Sequence, residues 1–307
     1  MTDGYRALRE TAGQIDLSAR GRIRVTGDDR VRLLHAMTTN NVNDLVPGQG
    51  CYAFFLNAQG RIQADANILC FDDHLLLDTE QETRRPLLEH LDKYIIADDV
   101  VLEDVTESTF SIGVEGPQSA QALKNAGLPV PEAPLSHVFE GALTVTRATA
   151  TGAAGFRLIG KGERPVLRVP VASADDARIV RLENFFPRFG EEVTDANLAQ
   201  ETQIAGALHF NKGCYLGQEI VERVRSRGHV NRMLAGLRIA GAETVSRGAK
   251  VLSGDEEEGE VVSAAFSPAQ LLTVGMAYIR VTVAKPGTQV TVNGRTAQVE
   301  AIKSSRT

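Results

Sequence analysis

Residues 209–232 read HFNKGCYLGQEIVERVRSRGHVNR and set one cysteine, Cys214, between Gly213 and Tyr215, with Lys212 two residues earlier. Gly213 and Gly217 permit close backbone approach or positive φ, and GQEIVERV reads as a helix start with Ile220, Val221 and Val224 apolar. Cys214 is thus expected just ahead of a helix N-terminus. There the macrodipole and Lys212 favour thiolate over thiol and raise reactivity toward metals, disulfides or electrophiles. A tight turn whose cysteine packs inward fits the same spacing equally well, so the residues alone leave both open. Cys51 and Cys70 lie in the apolar runs GQGCYAFFLN and ADANILCFDD and are expected as small core hydrophobes. Three cysteines at distant spacings form neither a disulfide framework nor a CxxC pair, which fits a reducing, cytoplasmic setting.

The absences narrow the chemistry. There is no GxxxxGK[ST] phosphate loop, no dinucleotide GxGxxG after a strand, no HExxH zinc helix and no GxSxG nucleophile elbow. No metal-ligand spacing stands out, and GDEEEGE at 254–260 is expected as a solvated turn, since it lacks the spaced ligands of an EF-hand. With net charge −6, no tryptophan and 5% aromatic residues, stable nucleic-acid binding is not expected. The one basic cluster, Arg223, Arg225, Arg227 and Arg232, reads as a solvated face because Glu219 pairs with Arg223 at i,i+4. No run approaches the roughly 18 apolar residues of a membrane span, and MTDGYRALRE lacks the marks of a signal peptide, so no membrane partner is expected.

The elements that must position these residues read as α+β, not as regular βαβ winding. RIRVTG at 22–27 alternates as a strand, and Asp28 or Asp29 caps a helix with Val31, Leu34 and Met37 on its apolar face. CYAFFLNAQGRIQADANILCF reads as two strands around a turn at 57–60, and HLLLDT as a third. A helix follows with Leu87, Leu88, Leu91 and Tyr94 on one side. FSIGVEGPQSAQALKNAGLP repeats strand, turn and helix, with Pro117 in the first helical turn. AGLPVPEAPLSHVFEG is a connection, and LTVTRATATGAAGFRLIG a hairpin turning at 152–155. SADDARIVRLENFF is a helix capped by Ser173 or Asp175, with Ile179, Leu182 and Phe186 at helical spacing and Glu183 near its end. From about residue 233, short β-prone runs between glycine and acidic turns predict a small barrel or sandwich. At 307 residues the chain is expected to divide into a region 1–232, of two interleaved subdomains, and a C-terminal β-barrel domain 233–307.

KGCYLGQE at 212–219, with RGHVNR following, resembles the K-G-C-[YF]-x-G-Q-E signature of the YgfZ-type folate-binding proteins, a branch of the glycine-cleavage T-protein (aminomethyltransferase) superfamily. TTNNVNDLVPGQGCYAFFLNAQGRIQAD, GVEGP, TGAAGFRL, RLENFFPRFGEEV and GEVVSAAFSPAQLLTVGMAYIR resemble further segments of that superfamily, so the likeness covers nearly the whole chain. It implies a ring of three domains around a central cavity for tetrahydrofolate or a one-carbon derivative. It also implies a part in the assembly or repair of iron-sulfur clusters, with iron-sulfur enzymes or assembly proteins as partners and an indirect link to tRNA modification.

Residue by residue, the resemblance puts Asp65 where aminomethyltransferases carry their catalytic carboxylate, able to steer or accept a proton. Glu183 matches the acid that meets the pterin, whose ring N–H and amine offer two donors side by side. Phe156, in TGAAGFRL, and Lys212 and Tyr215, in the signature, are the further expected folate contacts. Lys212, Gly213, Cys214, Tyr215, Gly217, Gln218 and Glu219 separate this branch from true aminomethyltransferases and imply that Cys214 is a reactive thiol at the mouth of the cavity. Two functions of different class follow: an iron-sulfur assistance factor that needs Cys214, or an aminomethyltransferase that needs Asp65.

Overall fold

The computed structural model describes residues 1–228 and 230–303, the side chain of Arg227 excepted; His229 of the RGHVNR stretch lies outside them. The chain opens with helix α1 (Asp3–Glu10), strands β1 (Gly13–Asp16) and β2 (Gly21–Thr26), and α2 (Arg30–Met37). Strands β3 (Gly50–Leu56), β4 (Ile62–Cys70) and β5 (Leu75–Thr79), helix α3 (Arg84–Asp92) and β6 (Val101–Asp104) follow. Then come β7 (Phe110–Glu115), α4 (Ser119–Asn125), β8 (His137–Glu140), β9 (Leu143–Thr146), β10 (Gly155–Gly160), β11 (Val171–Ala172), α5 (Ala174–Glu183) and α6 (Gln218–Arg227). Six strands end the chain: β12 (Arg232–Ile239), β13 (Lys250–Ser253), β14 (Glu256–Ser267), β15 (Leu272–Arg280), β16 (Gln289–Val292) and β17 (Arg295–Glu300).

Strand alternation gives the first sheet, ordered β3-β4-β5-β2-β6, two unlike faces. Ile23, Val25, Ala53, Phe55, Ala64, Ala66, Ile68 and Leu77 point to one side and form a core with Leu34 and Met37 of α2 and Leu87 and Leu91 of α3. On the other face Tyr52, Asn67, Asp78 and Arg22 lie in one cross-strand row, each paired in register with the next. The second sheet, ordered β11-β1-β7-β10-β9-β8, buries Phe110, Ile112, Val114, Phe156 and Leu158 with Leu123 of α4. Its other side meets the first sheet, where Ile159 packs with Tyr52, Phe54, Leu69 and Leu76. Because β1 belongs to the second sheet and β2 to the first, residues 17–20 cross between them. The space between the sheets is apolar at one end and carries the polar row at the other.

The C-terminal strands close into a six-stranded barrel, β12-β15-β14-β13-β16-β17, sealed by the antiparallel pairing of β12 with β17. Leu237, Ile239, Val251, Val261, Ile279, Val290, Val292 and Val299 fill it. Outward-facing Leu234, Met276 and Tyr278 pack on Leu182 and Phe185 at the end of α5, each fully buried apolar side chain contributing about 1.5–3 kcal/mol. A glycine is required at 236, where any Cβ would stand 2.6 Å from the Phe185 ring.

A second tie holds this seam. Buried Glu183 accepts hydrogen bonds from Tyr5 of α1, from Arg9 Nη1 at 2.6 Å and from Ser267 of β14 at 2.5 Å. One carboxylate thus joins the first helix, α5 and the barrel.

Several local expectations differ from the structure. Tyr94 lies past the end of α3 and is exposed, because that helix stops at Asp92. Pro117 precedes Gln118, the N-cap of α4, and so sits outside the first turn. Asp29 is the N-cap of α2, but its side chain accepts from the Asp99 backbone instead of capping. Part of the expected connection is strand β8, paired with β9. Glu256 to Glu260 are strand and not turn: they open β14, where Glu257 pairs with Lys250 at 2.8 Å. No described helix is long and apolar enough to cross a membrane.

Glu183→Ala is expected to cost about 3 kcal/mol, the penalty for stranding a partly buried ion-pair partner, measured as a lower urea midpoint with unchanged m. An unchanged midpoint would show that the seam rests on Leu182 and Phe185 alone.

Candidate functional site

The polar end of the inter-sheet space is a cavity of about 350 Å³, within the range of ligand sites. Its walls come from the end of β1, the 17–20 crossing, β3, β4, β5, the 149–150 loop, β10, α5 and residues 186–191. The i, i+2 spacing of Asp65 and Asn67 on β4 points both inward, beside Tyr52 and Asp78 of the flanking strands.

Asp78 is the centre of the charge network. Its carboxylate accepts from Arg20 Nε at 2.8 Å, from Arg157 Nη1 at 2.7 Å and from Asn67 Nδ2 at 3.0 Å, and it is 2% exposed. Burial raises its pKa, but Arg157 and Arg20 outweigh that and hold it at about 2. Arg20 also pairs with Glu80, which accepts from Arg188 Nε at 3.0 Å and is itself held below the usual carboxylate range by these two guanidiniums against burial. On the α5 side, Arg178 pairs with Glu191 at 2.5 Å, and Arg181 with Glu191 and with Glu192 at 2.7 Å. Among the described residues the buried Arg157 Nε has no acceptor.

Asp65 is 3% exposed and accepts the Tyr52 hydroxyl at 2.6 Å, which orients the carboxylate in the wall. Of the other expected contacts, Phe156 does not line the cavity. Strand alternation turns it into the core beneath α4 and turns its neighbour Arg157 inward. Glu183 is also absent from the lining; it stands in a separate cleft with Arg9, Arg238 and Lys303, bonded as described above. In the NFFP stretch, Asn184 donates to Thr151 O at 2.9 Å, Phe185 enters the barrel seam, and only Phe186 reaches the cavity.

The signature loop lies elsewhere again. Lys212 is buried, and its ammonium donates to the carbonyls of His35 at 2.5 Å, Thr38 at 2.6 Å and Asn40 at 2.8 Å, clipping the loop to the end of α2. Burial pushes that ammonium down to about 8. Tyr215 is buried against the inter-sheet core, with the Lys212 nitrogen 4.9 Å from its ring centre. Gly217, at φ 82°, is the N-cap of α6, and Asn57 O would stand 2.6 Å from any Cβ there. Gln218 begins the helix, and Glu219 pairs with Arg223 at 2.6 Å. Gly213 is exposed, and so is Cys214, which is not among the residues lining the cavity. Cys214 therefore does not pack inward, and it stands four residues ahead of α6, with Gly217 and not the cysteine at the cap. Cys70 is buried and Cys51 half-buried, where burial pushes the Cys51 thiol up to about 12. A bonded path joins loop and cavity: Lys212 holds Asn40 O, Asn40 Nδ2 donates to Tyr52 O at 2.8 Å, and the Tyr52 hydroxyl meets Asp65.

Sequence reasoning missed Arg157, Asp78 and Arg20. The signal was an arginine inside the apolar strand GFRLIG and an acid ending the apolar run HLLLD, charges that a buried strand carries only when paired.

Residues 1–164 match the GCVT N-terminal domain, and residues 232–306 match the glycine cleavage T-protein C-terminal barrel domain. The chain is 29% identical over 293 residues to a putative chloroplastic transferase of Arabidopsis thaliana, covering 91% of this chain and 67% of that protein. It is 26% identical over 339 residues to an aminomethyltransferase of Rippkaea orientalis, covering 99% and 88%. In fold it is similar to the crystal structure of the glycine cleavage system aminomethyltransferase T from Bartonella henselae, with TM-score 0.87 and 21% identity, covering 99% of this chain and 89% of that one.

With its carboxyl pKa near 2 in the folded chain against about 3.9 unfolded, Asp78 contributes roughly 2 kcal/mol that is present above pH 4 and lost as pH falls through 2. Asp78→Asn is expected to be about 3 kcal/mol less stable at pH 7, since it leaves the buried Arg157 guanidinium without its anion and Arg20 with Glu80 alone. In urea titrations from pH 5 to 2 the gap between wild type and variant should shrink by that same acid-labile part; a gap constant with pH contradicts the assignment.

Proposed function

The chain belongs to the glycine-cleavage T-protein family, and on that premise we propose that it binds tetrahydrofolate or a one-carbon derivative in the cavity around Asp65 and Asp78. The observation that carries the reading is the cavity's polar set: the acceptor Asp65 with its Tyr52 donor, Asn67, and the Nε–H of Arg157, in a space of ligand size between two sheets. Arg178 and Arg188, the more exposed guanidiniums, suit the carboxylates of a folate tail. A bound folate would supply nitrogen nucleophiles that carry one-carbon groups. Asp65 is the residue to accept or steer a proton, or to balance a cationic one-carbon adduct, and Tyr52 fixes its orientation.

Beyond folate binding, the proposed role is assistance to the assembly or repair of iron-sulfur clusters, with Cys214 as the thiol and iron-sulfur enzymes or assembly proteins as clients. Its support is the signature loop, which Lys212 clips to the body of the protein while Cys214 is left exposed. One thiolate cannot hold a cluster that ordinarily takes about four ligands, so the client or a small thiol completes the set. Aminomethyl transfer is the second reading, favoured by Asp65 in the cavity wall.

Anaerobic calorimetric titration with tetrahydrofolate is expected to show saturable binding by the wild type and by Cys214→Ala alike. In cells lacking the protein, Cys214→Ala should fail to restore iron-sulfur enzymes, while full rescue would refute the thiol's role. Turnover of an aminomethylated lipoyl carrier, lost in Asp65→Asn but kept in Cys214→Ala, would instead establish the transferase.

A further inference from the structure

Arg157 is 2% exposed and faces the cavity from β10. Its Nη1 is engaged by Asp78, but among the described residues its buried Nε–H has no acceptor, which is unfavourable in a buried site. Asp78 meets Arg157 only through Nη1, on the oxygen that also accepts from Asn67, while its other oxygen faces Arg20. Burial pushes the Arg157 guanidinium down, with Asp78 opposing. Arg157 therefore brings to the cavity wall a donor that no described side chain or carbonyl satisfies.

Which part of a folate reaches it follows from exposure. The side chains of Arg178 and Arg188 are 39% and 30% exposed, so a charged tail belongs with them where solvent enters. The flat, uncharged ring belongs at the closed wall beside Arg157. Glu183, the acid expected to meet the ring's N–H and amino edge, is bonded into the α1 and barrel tie and lines a separate cleft, not this space.

We propose that Arg157 determines specificity in this cavity by donating to the ring carbonyl of a reduced folate, so that the acceptor edge of the pterin is read at this wall. The inference rests on the folate reading above. An amino group in place of that carbonyl would turn N–H toward N–H, leaving both buried donors unpaired.

Anaerobic titrations of the full chain with tetrahydrofolate and with its 4-amino counterpart, tetrahydroaminopterin, test this. The wild type is expected to prefer the 4-oxo ligand by at least about tenfold, as loss of a hydrogen bond to a charged donor implies. Arg157→Lys keeps a cation for Asp78 but lacks the Nε–H, and should discriminate by less than about threefold. Wild-type affinities equal for both ligands, or a lysine variant as selective as wild type, would overturn the inference and leave folate binding standing. Binding of neither ligand by the wild type would overturn both.

Discussion

The buried carboxylate of Asp78 is the constraint on which the rest of the molecule's interior depends. It sits on β5 of one sheet and is bound by Arg157 from β10 of the other and by Arg20 from the crossing between them. An ion of that size moved alone from water to a protein interior would cost many kcal/mol, and the two guanidiniums make it tolerable only if all three keep their positions. The sheets are therefore held at a fixed separation where these charges meet. Beside them Tyr52, Phe54, Leu69, Leu76 and Ile159 close the same gap with apolar side chains. A space that is dry at one end and charged at the other is the consequence, and the cavity is the part that neither set fills.

The cysteine loop stands apart from that space but not independent of it. Lys212 places a buried ammonium on three carbonyls at the end of α2, and the last of these, Asn40, also holds the backbone of Tyr52, whose hydroxyl meets Asp65. The path consists of hydrogen bonds no longer than 2.8 Å, so moving the loop would disturb the wall of the cavity. Cys214, exposed beside this anchor, can reach a large partner that the cavity could not admit. The proposed division of labour assigns the small ligand to the interior and the protein client to the surface.

The elements were more legible than the site. Alternation in RIRVTG locates β2, the apolar runs on either side of the 57–60 turn locate β3 and β4, and the short β-prone runs after residue 233 become the closed barrel. Asp65 was singled out by the resemblance alone, and its place on β4 sets it in the cavity wall. Glu183 and Phe156 illustrate the limit. The end of a helix and the middle of a strand look alike whichever neighbour receives the side chain. Only the docking of the barrel on α5 and the covering of β10 by α4 decide that Glu183 enters a structural tie and that Phe156 gives its place at the cavity to Arg157. Exposure of Cys214 was equally beyond the loop's own residues, since the clip that fixes it depends on carbonyls some 170 residues away in sequence, with separations of 177, 174 and 172.

Amide hydrogen exchange with and without tetrahydrofolate, under anaerobic conditions, tests the central claim most directly. The account predicts protection at residues 15–20, 64–67, 149–157 and 186–191, which surround the cavity, with the barrel strands unchanged. No protection, or protection confined to the barrel or to residues 209–217, would contradict the placement of the ligand between the sheets.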